Sequence, residues 1–284
     1  KVEAFPSNLR LHGLDDRAQL LLTGTLDDGS LLDLTHHCSV SIDNVATLKA
    51  LAGTRLQPVA NGSATVTLTH AGLKATVRVE VQSCESPLPI NFTNQIIPIF
   101  TKMSCNGGGC HGKSGGQNGF RLSLLGYEPE IDYASLAKEE RNRRIQVTAP
   151  DNSLFLTKAT GQVAHGGGRK MEIDSDEYRL VRRWIGTGMP WGKPGDPTLA
   201  DVIVHPANRV MRPGASQQIV VMARYSDGRT EDITRRAQYE SNATDIATVD
   251  GTALVRAGES SGEATVMVRY QDRVATFRAT VPLS

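Results

Sequence analysis

The stretch Leu26-Asp27-Asp28-Gly29-Ser30-Leu31-Leu32-Asp33-Leu34-Thr35 returns near the other end of the chain as Tyr225-Ser226-Asp227-Gly228-Arg229-Thr230-Glu231-Asp232-Ile233-Thr234. In both, Asp-Gly falls between two strand-like runs, where a tight hairpin turn needs positive φ and Asp-Gly adopts it at little cost. The match extends outward from there. Pro6 corresponds to Pro206, Gly62 with Ala64-Thr65-Val66 to Gly262 with Ala264-Thr265-Val266, and Ala75 to Val81 to Ala275 to Val281. The offset stays close to 200 residues, so two copies of one domain, at 1–84 and 198–284, flank a different middle segment at 85–197. Runs such as 64–69, 75–81, 218–225 and 264–270 are rich in Val, Thr, Leu, Ile and Ala with alternating character, as strands with one buried face require. About seven such strands per copy predict a β-sandwich rather than a barrel.

The middle segment has another texture, and at its centre stands Cys105-Asn106-Gly107-Gly108-Gly109-Cys110-His111-Gly112. Two cysteines followed directly by a histidine is the order that covalent haem attachment needs: each thiol adds to one vinyl group and the imidazole reaches the iron from the proximal side. Four residues separate the cysteines here rather than the usual two, and the three glycines give the longer loop its freedom to bulge. The same residues also allow a disulfide between Cys105 and Cys110, or part of a zinc site with His111. Zinc would want four ligands, and His12, His36, His37, His70, His165, His205, Cys38 and Cys84 repeat no partner motif. Before the loop, Ile96, Ile99 or Phe100, and Met103 have helical spacing, with the helix beginning near Pro98. Later, Asp174-Ser175-Asp176-Glu177 reads as a helix start, with Tyr178, Val181, Trp184 and Ile185 on one face and Gly186 and Gly188 at its end.

The outer repeat, with its strand-Asp-Gly-strand-Asp-apolar-Thr pattern and its late Gly-x-Ala-Thr-Val strand, resembles the group 2 bacterial immunoglobulin-like domain. The middle segment carries Cys105-x4-Cys110-His111-Gly112, Asn118 to Leu124, Asp132-Tyr133, Arg144, Pro150 to Leu154, His165-Gly166-Gly167-Gly168, Tyr178 and Trp184-Ile185. It resembles the cytochrome c-like domain found in large multidomain planctomycete proteins. The two resemblances imply a multidomain chain in which two all-β immunoglobulin-like sandwiches flank a mainly α cytochrome c-like domain with one covalent haem c. They imply His165 as the distal iron ligand, with Met171 as the alternative and an open site as a third outcome. Arg121, Arg144, Arg169 and Lys170 are cations within reach of haem propionates. Export, which covalent haem attachment in bacteria entails, would also permit a disulfide between Cys38 and Cys84.

Charge is nearly balanced, with 31 basic and 30 acidic residues, and no basic block points to nucleic acid. No apolar run is long enough for a membrane span, and Lys1 to Leu9 is not a signal peptide, so an exported form is expected to be mature or trimmed. The stop at Pro282-Leu283-Ser284, directly after a strand-like run, predicts further C-terminal domains in the native protein. Nucleophile elbow, Walker loop and His-Glu-x-x-His are all missing, so an electron-transfer module is expected rather than a catalyst. The functional expectation is an iron-binding c-type cytochrome module in the periplasm or at the cell surface, passing single electrons to an unknown redox partner protein. The alternative is a structural or adhesive immunoglobulin-like protein whose insert senses haem or binds another metal.

Overall fold

The computed structural model describes residues 1–139 and 141–283. Residues 1–88 pack with 199–269 and 273–284 as one compact unit, and 89–198 with 270–272 form a second. Among the described residues each copy holds ten strands: β1 (Val2–Phe5), β2 (Asn8–His12), β3 (Ala18–Gln19), β4 (Leu21–Thr25), β5 (Leu31–Asp33), β6 (Ser39–Ile42), β7 (Leu48–Ala50), β8 (Arg55–Pro58), β9 (Gly62–His70) and β10 (Leu73–Gln82) in the first, and β11 (Leu199–His205), β12 (Asn208–Val210), β13 (Ser216–Gln218), β14 (Val220–Tyr225), β15 (Thr230–Asp232), β16 (Gln238–Ser241), β17 (Ala247–Val249), β18 (Leu254–Ala257), β19 (Gly262–Tyr270) and β20 (Arg273–Val281) in the second. In the first copy the sheet orders are β1-β4-β5, β2-β10-β9-β6 and β3-β8-β7; in the second they are β11-β14-β15, β12-β20-β19-β16 and β13-β18-β17. The repeat seen in sequence is therefore a repeat of topology, strand for strand. β2 pairs with β10, and β12 with β20, in parallel, whereas the hairpin β9–β10 and the β6–β9 and β16–β19 pairs are antiparallel.

Alternation decides which side chains make the core. β9 (Gly62–His70) turns Ala64, Val66 and Leu68 inward, and β10 (Leu73–Gln82) turns Val77, Val79 and Val81 inward. They meet Leu9, Leu11, Leu20, Leu22, Leu48 and Leu56 from the other strands. The second copy repeats the device with Ala264, Val266, Val268, Phe277, Ala279 and Val281.

The repeated Asp-apolar-Thr signature has a use that reaches beyond its own copy. Thr35 Oγ1 accepts from Leu22 N at 3.0 Å, and Thr234 Oγ1 from Val221 N at 2.9 Å. One oxygen of each aspartate caps the same turn: Asp33 Oδ1 accepts from Thr35 N and Asp232 Oδ1 from Thr234 N. The other oxygen crosses to the opposite copy. Asp33 Oδ2 accepts from Gln218 N at 2.5 Å, and Asp232 Oδ2 accepts from Gln19 N at 2.6 Å. Phe5 and His205, equivalent positions each before a cis proline, stack on one another with ring centres 3.6 Å apart. The contacts are thus reciprocal, each made once from either side, and the two copies join through a pseudo-twofold arrangement.

The expected mainly α cytochrome c-like domain is not what the insert forms. The chain as a whole is mostly β, and the insert's helices are short: α1 (Ile97–Lys102), α2 (Pro129–Tyr133), α3 (Arg141–Arg144), α4 (Leu154–Ala159) and α5 (Asp176–Gly186), the last with 11 residues and the others with no more than 6. Turns and irregular backbone make up the rest. The physical reason lies in glycine and proline, which punctuate 105–126, 161–168 and 186–197 and prevent helices from propagating. Individual helix signals still hold. Pro98 lies in the first turn of α1, and Ser175 caps α5 by accepting from Tyr178 N at 3.1 Å. Tyr178, Val181, Trp184 and Ile185 form the buried face of α5.

Candidate functional site

Two irregular segments of the insert, 103–126 and 160–171, bring its chemistry together. The first is wound tightly after α1. Cys105 N donates to Phe100 O, Cys110 N to Gly107 O, His111 N to Cys105 O, and Gly112 N to Gly107 O. These bonds fold the four-residue spacer back on itself and leave the thiols free. A side chain on Gly112 would collide with the carbonyl oxygen of Asn106, so the residue after the histidine has to be glycine for the loop to close. Cys105 is buried, and burial pushes its thiol up to about 11, while the Cys110 thiol is half-buried.

His111 lies against the ring of Phe120, with centres 4.6 Å apart, and its Nδ1 is hydrogen-bonded to the Phe120 carbonyl at 3.0 Å. His165 Nδ1 is held in the same way by the Gly168 carbonyl at 2.8 Å. Since each carbonyl can only accept, each Nδ1 carries a proton, and in a neutral ring that leaves the lone pair on Nε2. Fixing one ring nitrogen so that the other can bind a metal is the usual second-shell device of histidine ligands. The two rings have centres 6.4 Å apart and planes within 6° of parallel. Two imidazoles in one loop cluster, each with Nδ1 occupied, are donors of the kind a haem iron takes. Burial lowers the His111 pKa, and His165, Lys158 and Arg144 add to the effect against the Phe120 hydrogen bond, so the ring is neutral at neutral pH.

Met171 belongs to the insert core, in the same cluster as Cys105. It is 4% exposed and packs in the insert core with Phe92, Phe100, Leu156 and Trp184, its amide donating to Ala159 O at 3.1 Å. Of the four cations within expected reach of propionates, Arg144 is buried and donates to the carbonyls of Ser135 and Gly119, Arg169 pairs with Glu172 at 3.1 Å, Arg121 is exposed, and Lys170 approaches Gly167. Among the described residues no group of three or more His, Cys, Asp or Glu side chains is placed to hold a metal, so a zinc site of ordinary donor count does not form.

Cys38 and Cys84 are not brought together. Ser39, next to Cys38, pairs with Thr69, whereas Val81, just before Cys84, pairs with Gly62 at the far end of the same strand. Seven residues of strand, at ~3.3 Å each, put the two thiols on the order of 23 Å apart. A disulfide needs Cα atoms within about 7 Å. The expected bridge within the chain is excluded, and both thiols are free.

Sequence reasoning missed the two carbonyls that orient the histidines, because any residue supplies a carbonyl. It also missed the contacts of Asp33 and Asp232 between copies, although the repeated Asp-x-Thr was their signal.

Residues 199–281 match the bacterial Ig-like domain (group 2) family. This Ig-like domain is the second copy, and the first copy shares its strand order. Among curated proteins, 56 residues are 39% identical to Ice-binding protein 1 of Shewanella frigidimarina (strain NCIMB 400); the match covers 20% of this chain and 6% of that protein. The chain thus spans a small part of that relative. Among solved structures, surface layer protein SbsC domains 5–6 aligns over 100% of this chain and 98% of its own, at 11% identity and a TM-score of 0.37. SbsC domains 1–6 aligns over 94% of this chain and 23% of its own, at 10% identity and a TM-score of 0.28. No helix among the described residues is long and apolar enough to cross a membrane.

Proposed function

We propose that this chain is an exported structural Ig-like protein, periplasmic or at the cell surface, whose insert binds one haem c and passes single electrons. Cys105 and Cys110 would supply the thioether bonds, His111 the proximal nitrogen and His165 the distal one. The observation that carries this reading is the parallel pair of imidazoles, each with Nδ1 tied to a carbonyl and Nε2 free, beside two unpaired thiols. The reading rests on this loop and this pair of rings and does not require a cytochrome fold. Bound there, haem supplies a one-electron iron couple, which two imidazoles hold at a lower potential than an imidazole and a thioether would.

The protein's own residues define the rest of the site. Phe120 and Gly168 present their carbonyls and so fix both tautomers, and Gly112 lets the loop close under His111. Expression with a c-type maturation system tests the reading directly. The expected product has a mass increased by one haem and a Soret band that survives acid-acetone extraction. His165→Ala should convert six-coordinate low-spin iron to high spin, while Met171→Ala should leave the spectrum unchanged and only destabilise the fold. Matured protein with no added mass, or a spectrum indifferent to His165→Ala, overturns the assignment.

A further inference from the structure

The chain as a whole is balanced in charge, but the stretches around the histidine site, taken a little wider than its two loops, are not. Residues 101–127 and 152–171 contain Lys102, Lys113, Arg121, Lys158, Arg169 and Lys170 and not one Asp or Glu. Every carboxylate of the insert lies outside them. Lys158 and Arg144 lie close enough to His111, and Lys170 to Cys105, for their charge to be felt there. Lys113 and Arg121 are exposed, and Lys158 and Lys170 are half-buried. Among the described residues none of these four has a carboxylate within ion-pair distance, unlike Arg169, which Glu172 partly neutralises. Apolar surface accompanies the charge. Leu124 is 53% exposed and Tyr127 82%, and Leu124 lies alongside Gly108 of the cysteine loop.

We propose that this face is a docking surface for a protein partner carrying a carboxylate-rich patch. An exposed apolar spot beside cations is how transient protein interfaces are built, with the rim charges steering encounter and orientation more than they add affinity. Apart from the adjacent Arg169-Lys170 the cations stand singly, without the dense basic run that polyanionic nucleic acid or an anionic membrane recruits. The inference rests on the proposed function only for what the partner exchanges, namely an electron.

The test needs no knowledge of the partner and no haem. Fluorescein-labelled poly-L-glutamate of about twenty residues is titrated with the full chain, and binding is read by anisotropy at low and at 0.5 M salt, where screening reaches only about 4 Å. Binding at low salt is expected, to be lost at high salt. Lys113→Glu with Lys158→Glu and Lys170→Glu should weaken it about 10-fold or more. The same number of reversals in the first sandwich, Lys49→Glu, Lys74→Glu and Arg78→Glu, all at exposed positions, should leave it unchanged. No binding at low salt, equal loss in both triple variants, or stronger capture by phosphatidylglycerol vesicles or a DNA oligonucleotide than by polyglutamate overturns the proposal. Failure of the haem reading shows separately, as a missing Soret band, and leaves the polyglutamate result intact.

Discussion

Asp16 shows what burial does to one carboxyl group. It lies at the joint of the two sandwiches, accepting from His12 N at 2.9 Å and Arg17 N at 2.9 Å, and burial raises its pKa to about 7, with Glu231 adding to the rise. Glu231 keeps its charge beside Arg236 at 2.7 Å, so the pair holds one proton near neutrality. The sign follows from where the proton sits. Between the unfolded value near 4 and the folded value near 7, the folded state binds the proton and the unfolded state does not, so stability falls as pH rises through that window. Asp16→Asn should flatten this part of the curve, measured as the melting temperature of both proteins from pH 4 to 8. A difference that does not change across the window would refute the assignment. His12, His111 and His205 act in the opposite direction, because burial lowers all three and stability is then lost as pH falls below about 6.5. Comparing variant with parent removes that background.

Among the elements, β5 and β15 carry the reciprocal aspartates, and each substitution should be felt twice over. Asp33→Ala leaves Gln218 N and Thr35 N without acceptors, and Asp232→Ala does the same to Gln19 N and Thr234 N. A loss of about 1–3 kcal/mol per variant is expected from the stranded donors, measured by urea denaturation. If both variants unfold like the parent, the joint contributes nothing to stability. These strands also show how far the sequence could be read. Asp-Gly turns, alternating Val and Thr, and the near-constant offset reveal two β domains because each is a local rule repeated at a fixed spacing. The partner of Asp33 was hidden because it is a backbone amide 185 residues away. In the insert the start of α5 was legible in Ser175 and its apolar face, whereas the expectation of a mainly α domain failed because helix signals were extended across glycine-rich segments. Of the site, Cys105, Cys110 and His111 are adjacent in sequence and could be grouped at once. His165 facing His111 depends on how 160–171 folds back, which no local pattern encodes.

For the molecule as a whole, the cysteines report on how the chain is assembled. Cys38 and Cys84 cap opposite ends of the first sandwich core, and burial raises both thiols. Alkylation of the unfolded, unreduced protein followed by peptide mass mapping should find both labelled. A linked Cys38–Cys84 peptide would contradict the strand register. The joint has a longer reach. In a partnership of two identical subunits every change appears on both sides of the axis, so a lone buried acid would be duplicated and would meet itself or its mirror partner. One polypeptide carrying both halves escapes that constraint. Asp16, Glu231 and Arg236 gather on one flank of the joint, while the corresponding places opposite hold Ala215, Leu32 and His37. The buried acid and its neighbours therefore occur once in the molecule, on one flank of the joint, where a symmetric pair would have had to carry them twice.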